Sequence, residues 1–154
     1  MSASTFQPAN PDYAQRVRDS FDRQAFMGFL GAELTTLEPG YCLIDLAVRE
    51  ELTQQHGFVH GGVLASLADT VAGYAAFSLM PADAAPLTVE YKLNILRPGG
   101  GALVRARGEV IKPGRTLTIV RADVFNVDEG VETQCVTSIQ TLMTMQGWDD
   151  ATRA

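Results

Sequence analysis

With 154 residues, 46% of them hydrophobic and 19% charged, the chain is long enough to fold as one domain around a real core. A net charge of −6 argues against a nucleic-acid partner. The opening Met1–Phe6 lacks a basic region followed by an apolar stretch, so no secretory leader is expected and the expected compartment is the cytoplasm. The longest apolar segment carries Asp69, dispersed serines and glycines, which argues against a membrane span.

In chain order, Asn10-Pro11-Asp12 predicts a helix start, with Asn10 as cap and Pro11 at the first position. Tyr13, Val17 and Phe21 then recur on one face, giving a short amphipathic helix. Residues 1–11 ahead of it are expected to be flexible. Glu33–Glu38 and Tyr41–Val48 read as strands joined at the turn dipeptide Pro39-Gly40, with Cys42, Ile44, Leu46 and Val48 alternating. Leu87, Val89, Tyr91, Leu93 and Ile95 alternate with polar residues, a period of two that predicts one inward face. The glycine run Gly99–Gly101 lacks the Lys-Ser/Thr of a phosphate loop and reads as a turn. Strands follow at Leu103–Ile111, Thr116–Phe125 and Glu132–Met143, so the four late strands are expected to form an antiparallel meander. The tail from Gln146 to Ala154 has no periodicity and is expected to fray. Cys42 and Cys135 sit at alternating positions in apolar strands, as small core residues do.

Between the second and third strands lies the segment that carries chemistry. His56-Gly57-Phe58-Val59-His60-Gly61-Gly62 is a glycine-rich turn, and it runs into a helix reaching Leu79 that is apolar on all sides and therefore expected to be buried. Asp69 is expected to be buried with it. Two turns inside the helix it cannot cap the first N–H groups, which leaves a local bond to Ser66 or Thr70, or a functional acid. Gly61 and Gly62 leave backbone N–H groups uncovered at the positive end of the helix dipole, where an oxyanion is stabilised. Eight residues separate Gly61 from Asp69, or ~12 Å along one helix at ~1.5 Å per residue. One carbonyl cannot meet both. Two such helices packed antiparallel about a two-fold axis would place the glycine end of each opposite the aspartate of the other, giving a shared, two-site dimer.

The string Gln54-x-x-Gly57-x-x-His60-Gly61-Gly62 followed by Leu67-Ala68-Asp69-Thr70 resembles the hotdog-fold acyl-CoA thioesterases of the phenylacetate-degradation, PaaI-like type, a group of the 4-hydroxybenzoyl-CoA thioesterase superfamily. The likeness extends to Gly31, Thr88, Arg97-Pro98 and Gly114-Arg115-Thr116, and covers Asp12 to Met143. The family usually carries Asn where Gln54 stands. The resemblance implies an α+β hotdog domain over residues 1–154, in which a curved antiparallel sheet wraps one long buried central helix. It implies hydrolysis of an aromatic or medium-chain acyl-CoA to the free acid and CoA, with no metal and no cofactor. In these terms Asp69 attacks or activates water, and the Gly61 N–H holds the thioester oxygen with Gly62 allowing close approach. His60 orients the thioester and stabilises the leaving thiolate, Gln54 supports it, and Thr88 positions the water. Arg97 and Arg115 are expected to meet the CoA phosphates, and the residues Phe58, Val59, Tyr74 and Phe77 themselves point to an apolar or aromatic acyl pocket. Homodimers, and tetramers as dimers of dimers, are implied.

Seven basic residues fall between Lys92 and Arg121 against Glu109 alone, a basic region suited to a small polyphosphate. His56 and His60 have a helical metal spacing but lie in a glycine loop without a third ligand. Ser66 lacks a nucleophile elbow, which argues against a serine hydrolase. Two alternatives stay open: an acyl-thioester dehydratase or hydratase on the same fold, which needs a His and a carboxylate at one substrate carbon, and a non-catalytic acyl-CoA binding protein.

Overall fold

The structure, a computed structural model, describes residues 6–148. Two short helices lead in, α1 (Tyr13–Arg23) and α2 (Ala25–Leu30), followed by strands β1 (Ala32–Glu38) and β2 (Tyr41–Ala47). A single 3-10 turn at Glu50–Leu52 precedes the long helix α3 (Gly61–Phe77). Then come β3 (Ala84–Ile95), β4 (Leu103–Lys112), β5 (Leu117–Asp128) and β6 (Val131–Gln146). Among the described residues no helix is long and apolar enough to cross a membrane.

The helix start lies two residues later than the sequence predicts. Asn10 Oδ1 accepts from the Asp12 N–H at 3.0 Å, and the Asn10 carbonyl accepts from Tyr13 at 3.2 Å, so Asn10 shapes the turn that feeds the helix. Val17 and Phe21 are buried as expected. The helix α2 was not predicted; its six residues are too few for a helical period to register, and its one signal is Gly31, which closes it at φ 77°.

The sheet has six strands in the order β1-β2-β4-β5-β6-β3, each pair antiparallel. Only β4, β5 and β6 form the expected meander. β3 pairs with β6 at the far edge, and β4 returns to the middle beside β2. The return is made by residues 96–102, which cross the ends of β6 and β5. Leu96 N–H donates to Cys135 O at 2.8 Å, and the Asn126 amide clamps Gly100 N–H and Pro98 O at 2.9 Å each. The crossing strand is displaced because α3 occupies the concave face and delivers the chain to the opposite edge.

Helix α3 packs its Leu64, Leu67, Ala68, Val71, Ala72 and Ala75 against that face, all at 1% exposure or less. A Cβ on Gly108 of β4 would lie 2.5 Å from the Val71 carbonyl, so only glycine permits this approach. The opposite stripe of the helix differs. Gly62, Ala65, Ser66, Asp69, Thr70 and Gly73 retain solvent contact in the single chain, so the expectation that Asp69 is buried fails: the residues that flank it are small, and the described residues cover the stripe only in part.

Residues 6–11 and 146–148, expected to be flexible, are held: Phe6 packs beside Gly40 and Leu79, Asn10 is buried, and Gly147 N–H bonds Asp83 O at 2.8 Å. The rest of those two expectations, residues 1–5 and 149–154, lie outside the described residues. Both cysteines are fully buried, and burial pushes the Cys42 thiol up to about 12 and that of Cys135 to about 11.

Candidate active site

The loop ahead of α3 is a small closed hairpin. Gln54 N–H bonds Phe58 O at 2.8 Å, and Val59 and His60 N–H bond Gly99 O and Leu52 O at 2.9 Å. The Gln54 side-chain oxygen accepts from the His56 N–H, so among the described residues this amide braces the turn and makes no bond to His60. Val59 is buried under the crossing loop, whereas Phe58 is 45% exposed.

His60 is the N-cap of α3. Its Nδ1 accepts from Gly62 N–H at 2.9 Å. An imidazole that accepts at Nδ1 carries its proton on Nε2, which leaves a donor pointing away from the helix. The same bond uses the Gly62 N–H. The Gly61 N–H makes no hydrogen bond among the described residues, which makes it the helix-mouth donor available to an incoming oxygen.

Asp69 is held from outside its own helix. Thr88 Oγ1 of β3 donates to Asp69 Oδ1 at 2.8 Å, while Ser66 Oγ donates instead to the Gly62 carbonyl at 2.7 Å. A β-bulge makes the Thr88 contact possible. Pairing with β6 shifts by one residue between Thr88 and Glu90, so Thr88 opposes the buried Leu142 and Tyr91 opposes the buried Gln140. Thr88, Tyr91, Leu93 and Ile95 therefore share the concave face, and the predicted uninterrupted alternation from Leu87 to Ile95 is broken at Val89.

The sequence-predicted residues fall into separate hollows. Asp69 and Thr88 border a cavity of about 540 Å³ that runs along α3 past Gly73 to Tyr74 and Phe77. Gln54, Phe58, Val59, Gly61 and Arg97 surround another of about 340 Å³. The Arg97 guanidinium donates to the Gln134 carbonyl. Arg115 lies in neither, but in the β4–β5 turn beside Met80, Pro81 and Thr118. The basic stretch is not one patch. Arg105 makes a two-pronged pair with Asp45 at 2.7 Å and bonds Glu132 at 3.0 Å, while Arg107 bonds Glu132 at 2.8 Å and lies 4.5 Å over the Phe125 ring. Burial alone would raise the Glu132 carboxyl, yet the bonds from Arg105 and Arg107 outweigh it and hold it below the ordinary value. Sequence reasoning missed Ser20, Gln24 and Trp148, which also line the Asp69 cavity. Ser20 and Gln24 adjoin the apolar face of α1 at helical spacing, a visible signal.

A Thioesterase superfamily model matches residues 56–133, and the chain belongs to that superfamily. It is a hotdog-fold thioester hydrolase of the PaaI-like kind. A crystal structure of a thioesterase family protein from Silicibacter pomeroyi is 48% identical, covers 88% of this chain and 99% of its own, and superposes with a TM-score of 0.86. The Escherichia coli PaaI structure shares the fold at 21% identity and a TM-score of 0.80, over 90% of this chain and 97% of its own. The 1,4-dihydroxy-2-naphthoyl-CoA hydrolase of Listeria monocytogenes is 28% identical over 70% of this chain and 85% of its own length. The Escherichia coli acyl-coenzyme A thioesterase PaaI is 27% identical over 73% and 79% respectively.

Proposed function

We propose that this protein hydrolyses acyl-CoA thioesters to the free acid and CoA, at two equivalent sites each built from both subunits of a dimer. The observation that carries the reading is the Asp69 carboxylate, held by the Thr88 hydroxyl beside a cavity large enough for an aromatic or medium-chain acyl group. Relatives named for CoA thioesters support the CoA portion.

Three features support the shared site. Gly61 and Asp69 border different hollows of one chain. The stripe of α3 that carries Asp69 is made of small residues and is only partly covered by the described residues, which suits a second helix at close range. The edge strand β3 leaves Leu87, Val89, Tyr91 and Ile95 about half exposed, and an antiparallel partner strand would cover that edge.

In the assembled site the thioester oxygen lies on the partner's Gly61 N–H, and its developing charge faces the positive end of that helix. Asp69 attacks the carbonyl carbon, or takes the proton of a water that does; Thr88 fixes the carboxylate's direction in either case. The tetrahedral species collapses with loss of the C–S bond, and the partner's His60 donates an Nε2–H hydrogen bond to the departing thiolate, which is protonated from solvent or from the Asp69 carboxyl; where Asp69 itself attacked, water then hydrolyses the acyl anhydride and frees the carboxylate. Arg97, beside the Gly61 hollow, is placed for a CoA phosphate.

The test is a hydrolysis screen across aryl, short-chain and long-chain acyl-CoAs, with the free thiol as readout. Asp69→Asn keeps shape and hydrogen bonding but removes the charge, so a loss of roughly 10²-fold or more is expected with melting temperature retained. Near wild-type hydrolysis by folded Asp69→Asn, or full activity in a species that sediments as a monomer instead of a dimer or dimer of dimers, refutes the reading.

A further inference from the structure

Beneath the central helix the sheet carries polar groups that the hydrolytic step does not use. Gln140 of β6 is fully buried, and among the described residues neither its Oε1 nor its Nε2 has a hydrogen-bond partner. Ser138, two residues earlier and on the same concave face, is 2% exposed, and its Oγ has none either. Register explains the isolation. Gln140 stands between Val120 of β5 and Tyr91 of β3, and Ser138 between Ala122 and Leu93, while α3 covers this face with apolar side chains. An amide and a hydroxyl withdrawn from solvent in such surroundings are costly unless a ligand is enclosed with them. Their place along the helix is specific. Asp69 is bonded to Thr88, and Gly61 lies close to Ile95, where an added Cβ would be 3.1 Å from Cδ1. Tyr91 and Leu93 fall between Thr88 and Ile95, so Gln140 and Ser138 opposite them sit under the stretch of helix that joins Asp69 to Gly61. Thr88 pairs with Leu142, which makes Gln140 its diagonal neighbour across the two strands, ~7–8 Å away and within reach of a long side chain.

We propose that Gln140 and Ser138 bind internal water beneath α3, and that through this water Gln140 acts as a positioning residue for the Thr88–Asp69 pair. The proposal rests on the catalytic reading of Asp69. Thr88 gives its only hydroxyl proton to Asp69 Oδ1, so its oxygen can take part in further bonds only as an acceptor. A water that accepts from the Gln140 Nε2–H supplies the donor that this oxygen needs. The Ser138 hydroxyl gives the same water a second anchor, and Gln140 Oε1 accepts from a neighbouring water. With the Thr88 oxygen engaged in this way its proton cannot turn from the carboxylate. Asp69 is then held by Oδ1 with Oδ2 left for the reaction, and the network strengthens each of its members.

The experiment joins a structure to kinetics. A high-resolution crystal structure of the wild-type protein is expected to show ordered water bonded to the Gln140 amide and to Thr88 Oγ1, and that of Gln140→Leu to lack it. Hydrolysis of phenylacetyl-CoA and octanoyl-CoA is followed by release of free thiol. Gln140→Leu is expected to lower kcat about tenfold with KM within about twofold, because the carboxylate loses its fixed direction while the substrate keeps its contacts. Its melting temperature is expected to hold or rise, since an apolar side chain of similar size removes the buried amide. In a double-mutant cycle, adding Gln140→Leu to Thr88→Val should lower kcat by no more than about twofold, as the water then has no hydroxyl to hold. Undiminished kcat in folded Gln140→Leu, a full loss from Gln140→Leu in the Thr88→Val background, or a wild-type Gln140 amide bonded to protein groups alone overturns the proposal. If the wild type releases thiol from neither thioester nor any other acyl-CoA of the screen, the thioesterase reading fails, and the crystal structure still decides whether water is bound under α3.

Discussion

A shared site makes a quantitative demand on mixed dimers. The perturbation pairs an Asp69→Asn protomer, defective at the middle of α3, with a Gly61→Pro protomer, defective at its mouth. Proline is compatible with position 61: it is the first residue of the helix, where a backbone N–H has no intrahelical partner. The preceding His60 already has φ −60° and ψ 135°, the extended conformation that proline imposes on its predecessor. A Cβ there would lie 3.1 Å from Ile95 Cδ1, the far end of a flexible side chain, so the contact can relax. In a homodimer of either variant both sites lack one component. In a heterodimer one site lacks both components and the other is intact. Random pairing of equal amounts gives about half heterodimers, each with one of two sites working, so recovery to about one quarter of wild-type activity is expected. The assay is thiol release after the two tagged proteins are unfolded and refolded together, with heterodimer content read by native mass spectrometry. No recovery while heterodimers are present and Gly61→Pro retains its fold would refute the shared site, and with it the argument that one chain cannot bring Gly61 and Asp69 to one carbonyl.

Arg97→Ala should raise KM for acyl-CoA several-fold with little change in kcat, whereas Arg115→Ala, whose side chain borders a different hollow, should leave both near wild type. An N-acetylcysteamine thioester, which has no phosphates, should not distinguish Arg97→Ala from wild type. The buried thiols of Cys42 and Cys135, pushed up to about 12 and about 11, should resist a disulfide reagent in the native state and react once the chain is unfolded. Their ordinary value is 9.0, so above that pH the unfolded chain loses protons that the native state keeps, and denaturant titrations should find stability falling as pH rises from about 9 towards 12.

The hairpin of β1 and β2, the central helix and the strand character of β3 to β6 were legible because each rests on local periodicity and on a turn residue at each end. What sequence did not yield was non-local. The alternation from Leu87 to Ile95 identifies a strand but carries no information about its neighbour, and β3 lies beside β6 instead of β4. The bulge at Val89 has no mark of its own, since Thr88-Val89-Glu90-Tyr91 continues the alternation across it. Yet that bulge turns Thr88 towards Asp69 while Tyr91 and Leu93 stay on the same face. The exposure of Asp69 could have been read. Gly62, Ala65, Ser66, Asp69, Thr70 and Gly73 recur at helical spacing as one seam of small and polar residues, and such a seam on an otherwise apolar helix marks a face for close approach, not for the protomer's own core.

Charge is the property that transfers least well from sequence to sheet. Between Lys92 and Arg121 the chain counts seven basic residues and a single acid, and along a helix or a flexible tail such a run would be a basic surface. Strands dissolve it. Alternate residues of β4 point to the convex face, where Asp45 lies on adjoining β2 and Glu132 on β6, one strand beyond β5, so Arg105 and Arg107 meet acids outside the run. The crossing loop then carries Arg97 to the Gly61 hollow and the β4–β5 turn carries Arg115 to another. Among the described residues, a polyphosphate at the Gly61 hollow would therefore meet the one cation Arg97. The proposed antiparallel dimer, in which Gly61 meets the partner's Asp69, would thus also decide how many charges hold the CoA.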